Sequence, residues 1–483
     1  MNIEVIVPLV VFLLFTFAIG IWSARKRTGA ASFLHDYYLG SRELGGLVLA
    51  MTMVATYGSA SSFVGGPGIA YDRGLGWVLL SMAQVVTGYF TLMILGKRFA
   101  VMARRYRAVT LVDFLRSRYN NGLVVILGAF SIVIFLFSAM AAQWVGGARL
   151  IESVTGMSYQ ASLFLFAAAV LFYVIIGGFR AVVVTDAVQG IIMVVGTLII
   201  FTATLIAGGG MNNIMTSLYQ ENPNLVTPFG ADGDLTALYV SSFWILVGVG
   251  VVGLPQVAVR AMSYKSSAAM HRALLIGTAV VAFMMFGMHM AGVMGRVVVP
   301  GIEVADTVMP ELTMTVLPGW LAGIVLAAPM AAIMSTVDSL LLMISSSVVK
   351  DVYINYIKPD ASENRIRLLS LIVTAAVGII VVAISWSPPE FLIWLNLFAF
   401  GGLEAAFIWP IVLGLYWKKA NGWGALAAMV TGIASYMIIS IWLPGWLGMH
   451  EVAMPVLFSL AAFVLVSLLT SRQQNEWAPL ENN

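Results

Sequence analysis

Apolar residues run along this chain in long blocks separated by short polar stretches, not at the alternating spacing of half-buried elements in a water-soluble domain. A helix needs about 20 apolar residues to cross the hydrocarbon core of a bilayer. The blocks predict thirteen spans, at 3–24, 45–66, 76–96, 123–147, 160–178, 188–208, 239–258, 273–294, 319–345, 368–386, 391–416, 422–443 and 452–470. The expected fold class is therefore an all-α integral membrane protein.

Two spans break the pattern. The second reads ATYGSASSFVGGPG from Ala55 to Gly68, and the seventh reads GVGVVGLP from Gly248 to Pro255. Gly, Ser and Pro at membrane depth predict locally unwound helices, where freed carbonyls and N–H groups can hold an ion or a solute. Small residues also serve close helix packing, which would suffice for either segment alone. The pair lie five spans apart. Because five is odd, two tandem five-span units must be inverted relative to each other, the arrangement of an inverted-repeat transporter. The chain then divides into one membrane domain with 1–41 as an N-terminal span and loop, repeats at 42–210 and 237–417, two further spans over 418–470, and a tail at 471–483.

Composition and charge sharpen this picture. Of 483 residues 60% are hydrophobic and 10% charged, against about 25% charged in soluble domains. With the N-terminus outside, 22 of the 25 Lys and Arg fall in cytoplasmic segments, leaving Arg73, Arg149 and Arg296 outside. Positive-inside asymmetry of this size supports both span count and orientation, and places the C-terminus in the cytoplasm. It also accounts for a pI near 9.0 without a nucleic-acid partner. The first span carries Glu4 before it and its basic cluster after it, the reverse of a cleaved signal. Residues 97–119 read as an interfacial connecting helix on the cytoplasmic side, in preference to a lipid-sensing basic element.

The ninth span carries the clearest chemistry. It reads LAAPMAAIMSTVDS from Leu326 to Ser339. Ser335 and Thr336 offer adjacent hydroxyls, and the Ala332 carbonyl shares the Ser335 face. Hydroxyl and carbonyl oxygens without a carboxylate suit a small monovalent cation and not zinc. Ser and Thr also commonly bond back to their own helix. Asp338 is a carboxylate inside a span, a position that marks function by default. Glu404 and His289 raise the same question, with structural pairing the favoured answer for both.

These residues carry a resemblance. With Tyr38 to Arg42, Gly177 to Arg180, Thr185 to Gln189 and Met334 to Thr336, the chain resembles the sodium:solute symporter family over nearly its whole length. Residues 62–68, Gly253 to Pro255, Phe286 to His289 and Trp394 to Trp417 are most similar to pantothenate-carrying members. The resemblance implies a sodium ion held by the carbonyls of Ala55, Gly58 and Ala332 and the hydroxyls of Ser335 and Thr336, with no cofactor. It links Asp186 to a second or transit sodium position, with a plain salt bridge an equal alternative, and Arg42 to coupling. Asp338 joins these as a further coupling candidate. Ser62, Ser81 and Gln84 match sugar-contacting positions of a relative, and Trp244 and Gly250 fall near the seventh-span break, so these five are the candidate substrate residues. A proline-carrying member of the family has an aspartate where this chain has Tyr57, so the resemblance implies that ion binding here does not rely on a carboxylate at that position.

The implied activity is sodium-driven uptake of a small organic solute, pantothenate, across a bacterial inner membrane by alternating access. Another solute (proline, a sugar, a short carboxylate) is the alternative, and a sodium-conducting channel is the alternative of a different class. An enzyme is not expected: no HExxH or P-loop occurs, and the four His are scattered.

Overall fold

A computed structural model describes residues 3–25 and 45–470, and every regular element among them is helical. Arg42, with the rest of the 38–42 motif, and the 471–483 tail lie outside the described residues. Eight helices are long and apolar enough to cross a membrane, and three shorter apolar helices cover Ile3–Ile19, Tyr159–Phe172 and Ala453–Leu469. Polar side chains cap helix starts at the chain's turns. Thr110, Ser158, Thr236, Ser266 and Asn421 each accept a backbone N–H of the first turn, satisfying donors that a helix start leaves orphaned.

The helices Gly96–Arg105 and Leu111–Tyr119 line one face, tied to the ends of three spans. Arg104 donates to the Tyr264 carbonyl, Lys350 lies 3.2 Å from Asp113, and Arg118 donates to the Gly414 carbonyl at 2.7 Å. This segment is a docked connector, packed through Phe99 and Phe114, as the sequence favoured. On the opposite face Arg73 pairs with Asp232 and Asp234, Arg296 with Glu221, and Arg149 with Glu152.

The helical segment Tyr159–Ala207 holds two passes. Tyr159 donates to the Ser385 carbonyl at 2.8 Å, and Leu171 packs at Gly378 further down the same neighbouring helix. From Asp186, bonded to Ser335, the chain climbs to Gly196 beside Ala328.

Both interrupted spans are broken. Gly46–Tyr57 and Ser61–Arg73 meet at a 70° bend, and Ala237–Gly253 and Pro255–Ala261 at 52°. In the first, Gly58 is extended at φ −63°, ψ 126°, its N–H closing on Val54, and a π-turn at Ser61–Gly65 restarts the helix. The Ala60 N–H donates instead to Gln143 Oε1 at 2.8 Å, so a side chain replaces the missing helical carbonyl. In the second, a π-helix at Trp244–Val249 tightens to a 3₁₀ turn at Gly250–Gly253, and extended Leu254 leads into Pro255 at a helix start, where its absent N–H costs nothing.

Candidate functional site

The first break faces the Gly319–Ser346 helix. Where Gly46–Tyr57 ends, its last carbonyls have no helical partner. Thr336 Oγ1 donates toward Gly58 O at 2.8 Å and Ala332 O at 3.0 Å. Three of the expected sodium ligands thus converge, all from buried residues. Ala55 lies fully buried in the last turn before the break. Ser335 is next to Thr336, and its hydroxyl donates to Asp186 Oδ1 at 2.6 Å.

Asp186 is the hub of a buried polar cluster. Its Oδ2 accepts from Thr52 at 2.7 Å and from Arg260 at 2.9 Å. Arg260 also donates to Ser339 at 2.8 Å, and Ser339 returns a bond to the Ser335 carbonyl at 2.9 Å. Both ions are sealed, with side chains 1% and 0% exposed. A charge pair at this depth holds only when further hydrogen bonds satisfy both partners, and here hydroxyls do so. The salt bridge that the sequence left as one of two alternatives for Asp186 is formed. Its partner corrects the reading of Arg260 as a member of the cytoplasmic basic set: it is buried in the Pro255–Ala261 helix. The signal was present, since Arg260 stands within the apolar run from Val257 to Met262. Asp338 is buried on the same helix as Ser335, within electrostatic reach of Arg260.

Between the two breaks lies a cavity of about 430 Å³, within the usual range of small-molecule sites. Ser59, Ser61 and Ser62 line it from the first broken helix, and Ser81 and Gln84 from the next helix. Three of the five expected substrate residues are therefore brought together. The other two are not. Trp244 is 43% exposed, on the outer surface of the second broken helix. Gly250 packs against Glu404, whose Oε2 lies 2.2 Å from where a Gly250 Cβ would stand. Sequence reasoning missed Trp77 and Asn396, both buried and both lining the cavity. His289 reaches the wall while its Nδ1 bonds the Met285 carbonyl at 2.7 Å, the structural pairing expected for it. Glu404 departs from that expectation, because neither carboxyl oxygen has a hydrogen-bond partner among the described residues.

No Lys, Arg, Asp or Glu lines the cavity among the described residues. Its polar side chains carry hydroxyls, amides, the Trp77 indole and the His289 imidazole. Trp77 Nε1 and Ser61 Oγ are buried and have no hydrogen-bond partner among the described residues. Tyr57 and Thr87 both donate to the Val247 carbonyl, tying the second break to the first.

Two unwound helices, convergent neutral oxygens beside one break and a cavity between both define a secondary transporter of the broken-helix class. A sequence model of the sodium:solute symporter family matches residues 37–432. The chain is 49% identical to a sodium/pantothenate symporter of Escherichia coli over 96% of both chains. It is 47% identical to a sodium/pantothenate symporter of Haemophilus influenzae over 98% of both. The osmoregulated proline transporter OpuE of Bacillus subtilis is 31% identical, over 98% of this chain and 96% of that one. A substrate-bound, outward-open sialic acid symporter that is Na+-coupled shares the fold at a TM-score of 0.78 and 19% identity, covering 98% of each chain. Mhp1, a nucleobase-cation-symport-1 transporter solved in a closed conformation, matches at a TM-score of 0.58 and 14% identity, over 90% of this chain and 94% of that one. The chain belongs to the sodium:solute symporter family. It is a sodium-coupled membrane transporter, not an enzyme.

Proposed function

We propose that this protein imports pantothenate with sodium. The observation that carries the reading is the uncharged cavity, with unpartnered Trp77 and Ser61 donors, set beside the Gly58, Ala332 and Thr336 oxygens. Two relatives at 49% and 47% identity are sodium/pantothenate symporters. Pantothenate offers hydroxyls, an amide and a carboxylate. Ser62, Ser81, Gln84 and Asn396 match the hydroxyls and amide, while Trp77 N–H and Ser61 O–H serve the carboxylate. Tyr57, in place of the aspartate of a proline-carrying member, speaks against proline.

Sodium is held by the carbonyls of Ala55, Gly58 and Ala332 with the Ser335 and Thr336 hydroxyls. Its charge draws the first broken helix onto the Gly319–Ser346 helix and steadies the cavity wall that Ser59 to Ser62 provide. The repeats at 42–210 and 237–417 then rock, and the Asp186–Arg260 pair parts to release ion and solute. Arg42 and Asp338 are the remaining coupling candidates. The membrane is the bacterial inner membrane, with the N-terminus outside and the basic face in the cytoplasm.

Each charge crossing gains about 2.3 kcal/mol per 100 mV. One Na+ with one monoanion gains nothing, whereas two or more sodium ions would. The test is uptake of labelled pantothenate in cells lacking their own carrier, with sodium replaced by choline. Wild-type uptake should collapse without sodium, and Ser335→Ala/Thr336→Ala should lose its sodium response. Uptake indifferent to sodium, or displaced by proline better than by pantothenate, would sink the assignment. Sodium current without solute would make the protein a channel.

A further inference from the structure

The second break presents a group that neither ion nor solute binding uses. Glu404 lies in the Ile393–Tyr416 helix and is fully buried. Asn396, Phe400 and Glu404 follow one another at four-residue spacing, so they share a helix face. Asn396 and Phe400 line the solute cavity, and Glu404 lies one turn beyond Phe400. Opposite it, a Cβ on Gly250 would meet Glu404 Oε2 and Ile245 O, each at 2.2 Å, and a Cβ on Gly253 would meet Glu404 Cα at 3.2 Å. The unwound turn therefore rides directly on this carboxyl, and at Gly250 a side chain would collide with it unless something shifted.

No donor serves the group. Neither oxygen has a hydrogen-bond partner among the described residues. The titratable groups that face it are the hydroxyls of Tyr57 and Tyr436, and these donate to the Val247 and Phe398 carbonyls. Arg118 donates to the Gly414 and Trp417 carbonyls at the far end of the same helix, ten residues or more and about 15 Å along. An ionised carboxylate without donor or counter-charge is far costlier to bury than the neutral acid. The acid needs one acceptor. Ile245 O, with Gly250 N–H on one lone pair, keeps a second. It lies at most twice 2.2 Å, or 4.4 Å, from Oε2, which makes it the neighbouring acceptor for an acid proton.

We propose that Glu404 is a proton-binding site, carried as the acid against the Ile245 carbonyl and exchanged with water when the second broken helix lifts from the Ile393–Tyr416 helix. On lifting, the O–H bond breaks, the proton passes to water entering past Phe400, and the carboxylate is solvated. On closing, it takes a proton back. Proton exchange is thereby tied to the same movement that opens the cavity.

The experiment is infrared difference spectroscopy on the full chain in lipid vesicles across a pH series, without solute, so its outcome is independent of the pantothenate assignment. Wild type should show a protonated-carboxyl stretch that shifts in heavy water. Glu404→Gln should lose that band, and Glu404→Asp should keep it at a shifted frequency. Sodium-driven uptake by Glu404→Gln, which mimics the acid, should lose the pH dependence of wild type. If Glu404→Gln does not fold, the Glu404→Asp spectrum decides alone. Unchanged protonated-carboxyl bands in the variants overturn the proposal. A Glu404 band that answers to sodium and not to pH also overturns it, making the residue an ion ligand.

Discussion

The two broken helices are alike in position and opposite in chemistry. The first break, at Gly58, is surrounded by hydroxyls and an amide: Thr336 at its carbonyl, Gln143 at the next free N–H, and Ser335 leading to Asp186. The second, from Trp244 to Leu254, is carried on glycines pressed against a carboxyl that has no hydrogen-bond partner among the described residues. Loosened backbone therefore has no single purpose. Where convergent oxygens surround it, it offers a cation a coordination shell. Where small residues surround it, it offers close approach and a place to bend.

Predicted variants break or sharpen this contrast. The largest effect should come from Arg260→Ala, which leaves Asp186 buried without its counter-charge. About 3–5 kcal/mol of stability should be lost, read as a lowered unfolding temperature in detergent, with Asp186→Ala in the same chain recovering part of it. Next, Ser335→Ala/Thr336→Ala removes two of the proposed sodium ligands, worth about 1.5–3 kcal/mol each. The sodium concentration for half-maximal uptake should rise about 100-fold or more, while the same pair of changes leaves the second break untouched. Gly250→Ala should cost about 1–3 kcal/mol by overpacking. A differential-scanning measurement that finds it neutral would show the second break to be looser than described. Asn396→Ala should raise KM for pantothenate about 10-fold through one lost hydrogen bond, with no change in sodium response.

The smallest effect is a pH slope. Asp306, in the loop before the Gly319–Ser346 helix, accepts the Leu392 N–H at 3.1 Å. Burial raises its carboxyl from 3.8 to about 7, against the pull of that N–H and of Arg149. A folded-state value above the unfolded one means that the folded protein holds the proton more tightly. Stability from this group is therefore full below about pH 4 and is lost as pH rises toward 7. Asp306→Asn should flatten that part of the stability profile. His450 slopes the other way. Burial lowers it from 6.5 to about 4, so its contribution fades as pH falls through that window, and His450→Gln should remove the acid limb.

Hydropathy and charge made most of this architecture legible. Apolar block length announced an all-helical membrane fold, of which eight helices, or ten counting each bent pair as one, are long and apolar enough to span among the described residues, and the Gly-Ser-Pro interruptions located both breaks, because backbone freedom is written in residue type. The Ser335–Thr336 pair was visible for the same reason. What stayed hidden depends on which way a helix is turned. Trp244 and Ser62 look equally placed beside a break, yet one points outward and the other into the cavity. Trp77 and Asn396 stand among residues of ordinary packing character, and only the convergence of four helices makes them a wall. Arg260 reads as a flank anchor until Asp186, 74 positions earlier, is brought beside it.

Ser335 belongs to two neighbourhoods at once: it is next to the Thr336 that bonds Gly58, and its own proton is given to Asp186. A cation on its lone pairs would polarise that O–H bond and strengthen the donation. Sodium bound there as proposed would then strengthen the hold of Ser335 on Asp186. Linkage is reciprocal, so breaking the Ser335–Asp186 bond would loosen such an ion by the same factor: the proposed grip and this contact share one hydrogen atom.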